Sequence, residues 1–329
     1  MSTTQLTTAR TPGPAATARH EPSRWRRIRD NRWSYAYLLP FVVLTAVFTI
    51  YPIFASLGYT LYDWDGIGEP TSFVGLDNFR DVITDGFFWN AFKNSAVYTV
   101  VLVPVQLILA LALALVLNNP KLRGSTFYRA VYFLPAVTSI AIVGIVLKLM
   151  LANFSDTLSA PLISLGLIDQ PLQFLGDPDA VLWTVIAIGI WNTLGYNLIY
   201  FLAGLQTIPK DLYEAAQLDG AGRLAQLVHV TIPGLRNVGL VILFLAIIGS
   251  LQVFDLIMVL TGGGPFFASE VVNTYIYHQA FGQVGTGTVT EPNIGFASAA
   301  SFFFGLVLLA LTAGQMLAIK KMRARKEHK

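Results

Sequence analysis

In a chain this apolar, few side chains could do chemistry, and two groups of them stand inside long apolar runs. One is Trp191, Asn192, Tyr196 and Asn197; the other is Ser250, Gln252 and Asp255. Asn, Gln, Ser and Tyr hydrogen-bond as donors and acceptors, and Trp and Tyr add flat apolar faces. Asn192 and Tyr196, four residues apart, share one face of a helix. An ionised Asp within an apolar run costs about 2.5–3.5 kcal/mol on insertion scales, so Asp255 should face a partner or water. This is chemistry for holding a solute. Chemistry for breaking bonds is missing: His20, His229, His278 and His328 are scattered, and there is no HExxH, no GxSxG, no clustered carboxylate pair and no cysteine. No catalytic residue and no metal site is assigned.

The elements that must position these groups are set by composition. Of 329 residues, 54% are apolar and 12% charged, where a soluble domain carries about 25% charged residues. Mean hydropathy is +0.58. Six apolar runs, near Tyr35–Leu57, Phe92–Leu117, Tyr128–Leu151, Ala180–Leu205, Val238–Leu260 and Ile294–Ile319, each approach the roughly 20 residues that cross a bilayer. The expectation is an all-α membrane protein with six transmembrane helices. Residues 1–33 read as a disordered basic tail, 34–319 as the membrane domain and 320–329 as a second basic tail. Pro and Gly inside the spans, such as Pro104, Pro135 and Gly195, are tolerable where neighbouring helices cover the freed backbone groups.

Charge then fixes orientation. Nineteen of the twenty-two Lys and Arg residues fall in the two tails and in the second and fourth loops. The first, third and fifth loops are acidic, and Lys148 is expected near the outer end of the third span, where it can snorkel. The positive-inside rule places both termini in the cytoplasm. The three acidic loops are then outer, with a solvated surface as their simplest role.

One cytoplasmic loop (206–237) is more than a connector. IPKDLYEAAQLDGAGRLAQLVHVTIPGLRN, from Ile208 to Asn237, predicts helix, turn, helix. Asp211 and Glu214 have capping-box spacing. Leu212, Ala215 and Ala216 form a small-residue face, and Asp219-Gly220 is a turn signal. A second short helix, about Gly222–His229, should end before Pro233, which stops it or leads into the next span. Glu214 is readable as a mere helix cap or as a docking residue.

These residues carry a resemblance. Glu214-Ala215-Ala216, three residues, Gly220, nine residues, then Val230-x-Ile232-Pro233 resembles the EAA loop of bacterial ABC-importer permeases, whose pattern ends in Ile-x-Leu-Pro. GLDNFRDVI (75–83), FYRAVYFLPAVTS (127–139), QVFDLIMVLTGGGP (252–265) and GFASAAS (295–301) are similar to the carbohydrate branch. TGGGP with the YIYHQAF that follows is similar to MalF/UgpA-type permease subunits of binding-protein-dependent carbohydrate importers.

The resemblance implies an ABC type I importer permease fold and a permease subunit for a sugar or oligosaccharide in the bacterial plasma membrane. Its implied partners are a homologous MalG-type permease, a cytoplasmic ATPase dimer and an extracytoplasmic solute-binding protein. Glu214, Ala215, Ala216, Asp219, Gly220 and Pro233 would couple to the ATPase. Trp191 and Tyr196 match sugar-contacting positions of maltose-type permeases, with helix–helix packing as the plainer role. The chain has no GxxxxGK[ST] phosphate loop, so no cofactor is expected on it, and ATP and Mg would be bound by the partner ATPase. Thr261–Pro265, the Gly-dense stretch, reads as a turn. The alternatives are an importer of glycerol-3-phosphate or a related polyol phosphate, and a secondary transporter, which would need more ionisable groups in its spans than Asp255 and Lys148.

Overall fold

The computed structural model describes residues 32–119, 122–166, 168–282 and 291–327. Most of the expected 1–33 tail lies outside them. The chain divides between Ala55 and Ser56 into two compact units. The first holds α1 (Arg32–Thr45), a π-helical turn (Ala46–Ile50) and the start of α2 (Tyr51–Tyr59). Its side chains from Ala36 to Leu44 are exposed, as on a lipid-facing helix.

The second unit carries the remaining described helices. They are α3 (Asp77–Thr84), α4 (Gly86–Leu117), α5 (Ser125–Val137), α6 (Ile140–Ser164) and α7 (Pro178–Gln206). Then come α8 (Lys210–Leu218), α9 (Arg223–Gln226), a π-helical turn (Leu227–Thr231), α10 (Ile232–Leu251), α11 (Asp255–Leu260), α12 (Val272–Phe281) and α13 (Ile294–Glu327). Six stretches are long and apolar enough to cross a membrane: 36–59, 86–117, 140–164, 178–206, 223–260 and 294–317. The sixth helix continues to Glu327, so most of the basic 320–329 segment is helical.

Two spans are not the single helices expected. The expected third run, Tyr128–Leu151, breaks at Thr138–Ser139, where Thr138 is extended (ψ 143°); α5 ends there, and the membrane-length stretch is α6, which runs to Ser164. Lys148 therefore lies within α6 and not near the end of its span. The fifth breaks at Gln252–Phe254 before the short α11.

The core is built on α4 and α7. Ala110, Ala114, Leu198 and Leu202 are buried together between them, and Leu235 and Ile242 of α10 close the layer. Small residues set the spacing. A Cβ at Gly195 would stand 2.5 Å from the Tyr132 carbonyl oxygen, so α5 rests backbone-on-backbone against α7. A second core joins α3, α4, α12 and α13 through Val82, Phe88, Val272, Ala299 and Phe304.

Two of the family-like motifs have structural work here. The GLDNF and GFASAAS motifs meet at the two-stranded antiparallel ribbon β1 (Tyr62–Asp63) and β2 (Ser72–Phe73), paired Tyr62 with Phe73 and Asp63 with Ser72. Buried Asn78 donates to the carbonyls of Thr60 (2.9 Å) and Tyr62 (2.8 Å), and Gly295 packs on the latter so closely that a Cβ would fall 1.9 Å from it.

Gly195→Ala should overpack the α5–α7 contact, at a cost of about 1–3 kcal/mol. Its apparent melting temperature should fall measurably, while Gly239→Ala, where a Cβ meets nothing within 4 Å, should melt as the wild type does.

Candidate functional site: a polar cavity at two helix breaks

The break in the third span and the break in the fifth face one cavity of about 540 Å³. Its walls include Tyr98 and Gln106 of α4, Ile140 at the start of α6, Asn192, Thr193, Tyr196, Asn197 and Tyr200 of α7, and the stretch from Ser250 to Leu256 apart from Leu251. Residues 189–200 occupy the middle of the 29-residue α7, so the cavity lies halfway along a span.

A broken helix leaves its last carbonyls without intrahelical partners, and no lipid can supply them. Side chains do so here. The Thr138 hydroxyl donates to Leu134 O (2.8 Å), Asn192 Nδ2 to Pro135 O (3.0 Å) and the Tyr196 hydroxyl to Ala136 O (2.6 Å). Three consecutive carbonyls at the end of α5 are thus capped, two of them by α7. At the other break Asn273 Nδ2 lies 3.4 Å from Leu251 O and 3.3 Å from Val253 O.

Six of the seven residues expected on a substrate path therefore line one cavity. Trp191 is the exception: it is 45% exposed and lies outside the lining, because its position on α7 turns it to another face. Four further polar residues, Tyr98, Gln106, Thr193 and Tyr200, were not foreseen. A helical signal pointed to two of them, since Thr193 and Tyr200 continue the Tyr196–Asn197 face at three- and four-residue spacing. Within the cavity the Thr193 hydroxyl donates to Gln106 Oε1, and Ser250 to Thr99 Oγ1 (3.1 Å).

Next to the cavity, Thr261–Glu270 forms a tight turn, as Thr261–Pro265 was expected to, with Gly262 and Gly263 at positive φ. Asn94 Nδ2 holds it through the carbonyls of Phe267, Ala268 and Glu270. Glu270 corrects the expectation that the acids of this loop are solvated. It is fully buried, with Oε1 3.0 Å from His278 Nδ1 and Oε2 seated against Gly263, where no Cβ would fit. The Tyr275 hydroxyl donates to Asp85 Oδ2, and burial first, then the Asp85 carboxylate, pushes its pKa above the ordinary phenol value.

The 206–237 loop corrects two expectations. Asp211 does not cap α8: Pro209 is the N-cap, with no side-chain bond, because the connection from α7 is so short that the helix starts at once at Lys210. Nor does the second helix end before Pro233: of the two roles open to that proline, it takes the second and leads into the next span. Proline lacks the N–H that the ladder needs, and the π-helical turn Leu227–Thr231 lies just ahead of it, so α9 continues through Pro233 into α10. Tyr213 and Thr231 hydroxyls, 3.0 Å apart, tie α8 to that turn.

The Glu-Ala-Ala-x-x-x-Gly spacing has a direct physical reading. Gly220 N–H bonds to Gln217 O (3.0 Å) and Ala221 N–H to Ala216 O (2.9 Å), with Gly220 at φ +79°. This is a Schellman helix end, in which the residue after the C-cap must adopt the left-handed conformation. The Glu214 side chain is exposed and, among the described residues, makes no hydrogen bond or ion pair. Leu212, Leu218 and Leu224 are exposed beside it, Leu218 at 90%.

Membrane-length helices, with breaks in two apolar runs at a shared polar cavity, are the architecture of a solute-translocating membrane protein. Residues 106–324 match the model of the binding-protein-dependent transport system inner membrane component family, and the chain belongs to that family. It is 33% identical over 287 residues to a probable ABC transporter permease protein, YurN, of Bacillus subtilis, covering 87% of this chain and 95% of that one. It is also 33% identical to the lactose transport system permease protein LacF of Rhizobium radiobacter, covering 94% and 100%. In fold it is similar to a chain of the bacterial alginate ABC transporter in complex with an alginate pentasaccharide-bound periplasmic protein. That likeness has a TM-score of 0.73 at 24% identity and covers 89% of this chain and 96% of the other.

A side chain at position 220 must pay for the left-handed conformation, about 1–2 kcal/mol. Gly220→Val should therefore speed tryptic cleavage after Lys210 and after Arg223 about fivefold or more, while Gly222→Ala, at φ −67° with free space around it, should cleave at the wild-type rate.

Proposed function

We propose that this chain is one permease subunit of an ATP-driven carbohydrate importer, forming half of the translocation pathway. The observation that carries the reading is the mid-span cavity walled by hydroxyl, amide and phenol groups. Such groups match the hydroxyls and apolar faces of a sugar. The lactose permease LacF, similar over its full length, supports the same reading.

The charge asymmetry supports an orientation with both termini in the cytoplasm of a bacterial plasma membrane. The α8–α9 loop then faces the cytoplasm, where its free Glu214 carboxylate and exposed leucines offer an acidic contact to a basic group, and an apolar one, of an ATPase subunit. Ala215 and Ala216 allow close approach, and Gly220 fixes the turn. ATP and Mg belong to that partner, whose nucleotide-bound form favours one arrangement of the spans over another. A homologous permease completes the pathway, and an extracytoplasmic binding protein delivers the sugar to the acidic outer loops.

The test is sugar uptake and sugar-stimulated ATP hydrolysis by the full assembly in proteoliposomes, comparing wild type with Glu214→Lys. The expected result is an assembled complex that has lost most of both activities, about tenfold or more for reversing one close charge contact. Unchanged activities would remove Glu214 from the coupling account.

A further inference from the structure

The polar groups that line the cavity divide into those already engaged and those left free. Asn192 and Tyr196 are committed to the carbonyls of Pro135 and Ala136, Thr193 to Gln106, Ser250 to Thr99 and Ile247 O, and Asn197 to Thr193 O. Among the described residues, Gln252, Asp255, Tyr98 and Tyr200 line the same space with side chains that make no hydrogen bond or ion pair. Gln252 and Asp255 stand at the break in the fifth span, and the two phenols come from α4 and α7. Asp255 is the one charged residue of the lining, and no Lys, Arg or His accompanies it.

We infer that Asp255, with Gln252, Tyr98 and Tyr200, reads the solute, and that it selects an uncharged polyhydroxylated sugar while turning anionic sugars away. This rests on the proposed carbohydrate path through the cavity. A carboxylate accepts two hydroxyl protons at once through its two oxygens, the arrangement that a vicinal diol presents, and bonds to an ionised acceptor are about twice as strong as neutral ones. A uronate or sugar phosphate would instead meet a like charge, with no cation in this chain's lining to offset it. Asn192 and Tyr196 are positioning residues in this division, since their donors hold the end of α5.

The chain contains no cysteine, which allows a reporter inside the cavity. Gly249 lines it, and a Cβ there would meet nothing within 4 Å. Gly249→Cys can therefore be placed in the full assembly and titrated with a small thiol reagent. Neutral disaccharides should slow labelling, and their uronate and 6-phosphate counterparts should not. Adding Asp255→Asn should raise the half-protecting concentration of the neutral sugar about tenfold or more, the worth of a charge-assisted hydrogen bond, and let the anions protect. Asp255→Glu should keep the exclusion, and Tyr196→Phe should leave the neutral-to-anionic ratio unchanged.

Equal protection by neutral and anionic sugars in the wild type, or no change in Asp255→Asn, would overturn the inference and leave the carbohydrate reading standing. Protection by no sugar of either class at a reporter that labels freely would overturn both.

Discussion

Inside a bilayer every backbone N–H and C=O must find a partner within the protein, and this chain breaks two of its apolar runs. Everything particular about it follows from how it meets that demand. An unbroken helix satisfies its own carbonyls, but one that stops at Val137 exposes its last ones in the middle of the bundle. Thr138, Asn192 and Tyr196 take three of them in sequence, and Asn273 serves the break at Leu251–Val253. Gly195 lets α7 come close enough for Asn192 and Tyr196 to reach. The breaks and their caps therefore form one design, in which a small residue brings two helices together and polar residues on the same face complete the contact.

A cavity is what the breaks create. Two interrupted helices cannot pack along their whole length, and the space left between α4, α7 and the fifth span is lined with the polar groups that the breaks require. This explains why polar side chains fall in the middle of apolar runs without a catalytic pattern among them. Some of them hold backbone and some face the empty space. Hydropathy counts both alike, and only the hydrogen bonds separate them.

The same distinction marks how far the sequence could be read. The six spans were legible because hydropathy averages over about twenty residues, and averaging is also why the breaks were not: Thr138-Ser139 and Gln252–Phe254 are short and lie within apolar runs. Gly220 was legible as a turn because Asp-Gly is a turn dipeptide and the left-handed conformation found there suits Gly. Asp211 misled because capping spacing is local, whereas the helix start was fixed by Pro209 and the short connection before it. Pro233 misled for a related reason, since a π-helical turn absorbs a missing N–H that would end a regular helix. Glu270 looked like one more surface acid. Its burial depends on a ten-residue turn clamped by Asn94 from a helix more than 170 residues away in sequence.

The caps at Thr138, Asn192 and Tyr196 can be removed without changing side-chain size much. The direct measurement is the apparent melting temperature of the purified protein carrying Thr138→Val, Asn192→Leu and Tyr196→Phe singly and together. Hydrogen bonds of this kind within a membrane are worth about 0.5–2 kcal/mol each. Each substitution should lower the melting temperature, and the triple variant should lose more, because a carbonyl left without its cap has no lipid group to turn to. A triple variant that melts as the wild type does would mean that the break at Thr138–Ser139 needs no side chains to hold it, and the account would fail at its foundation.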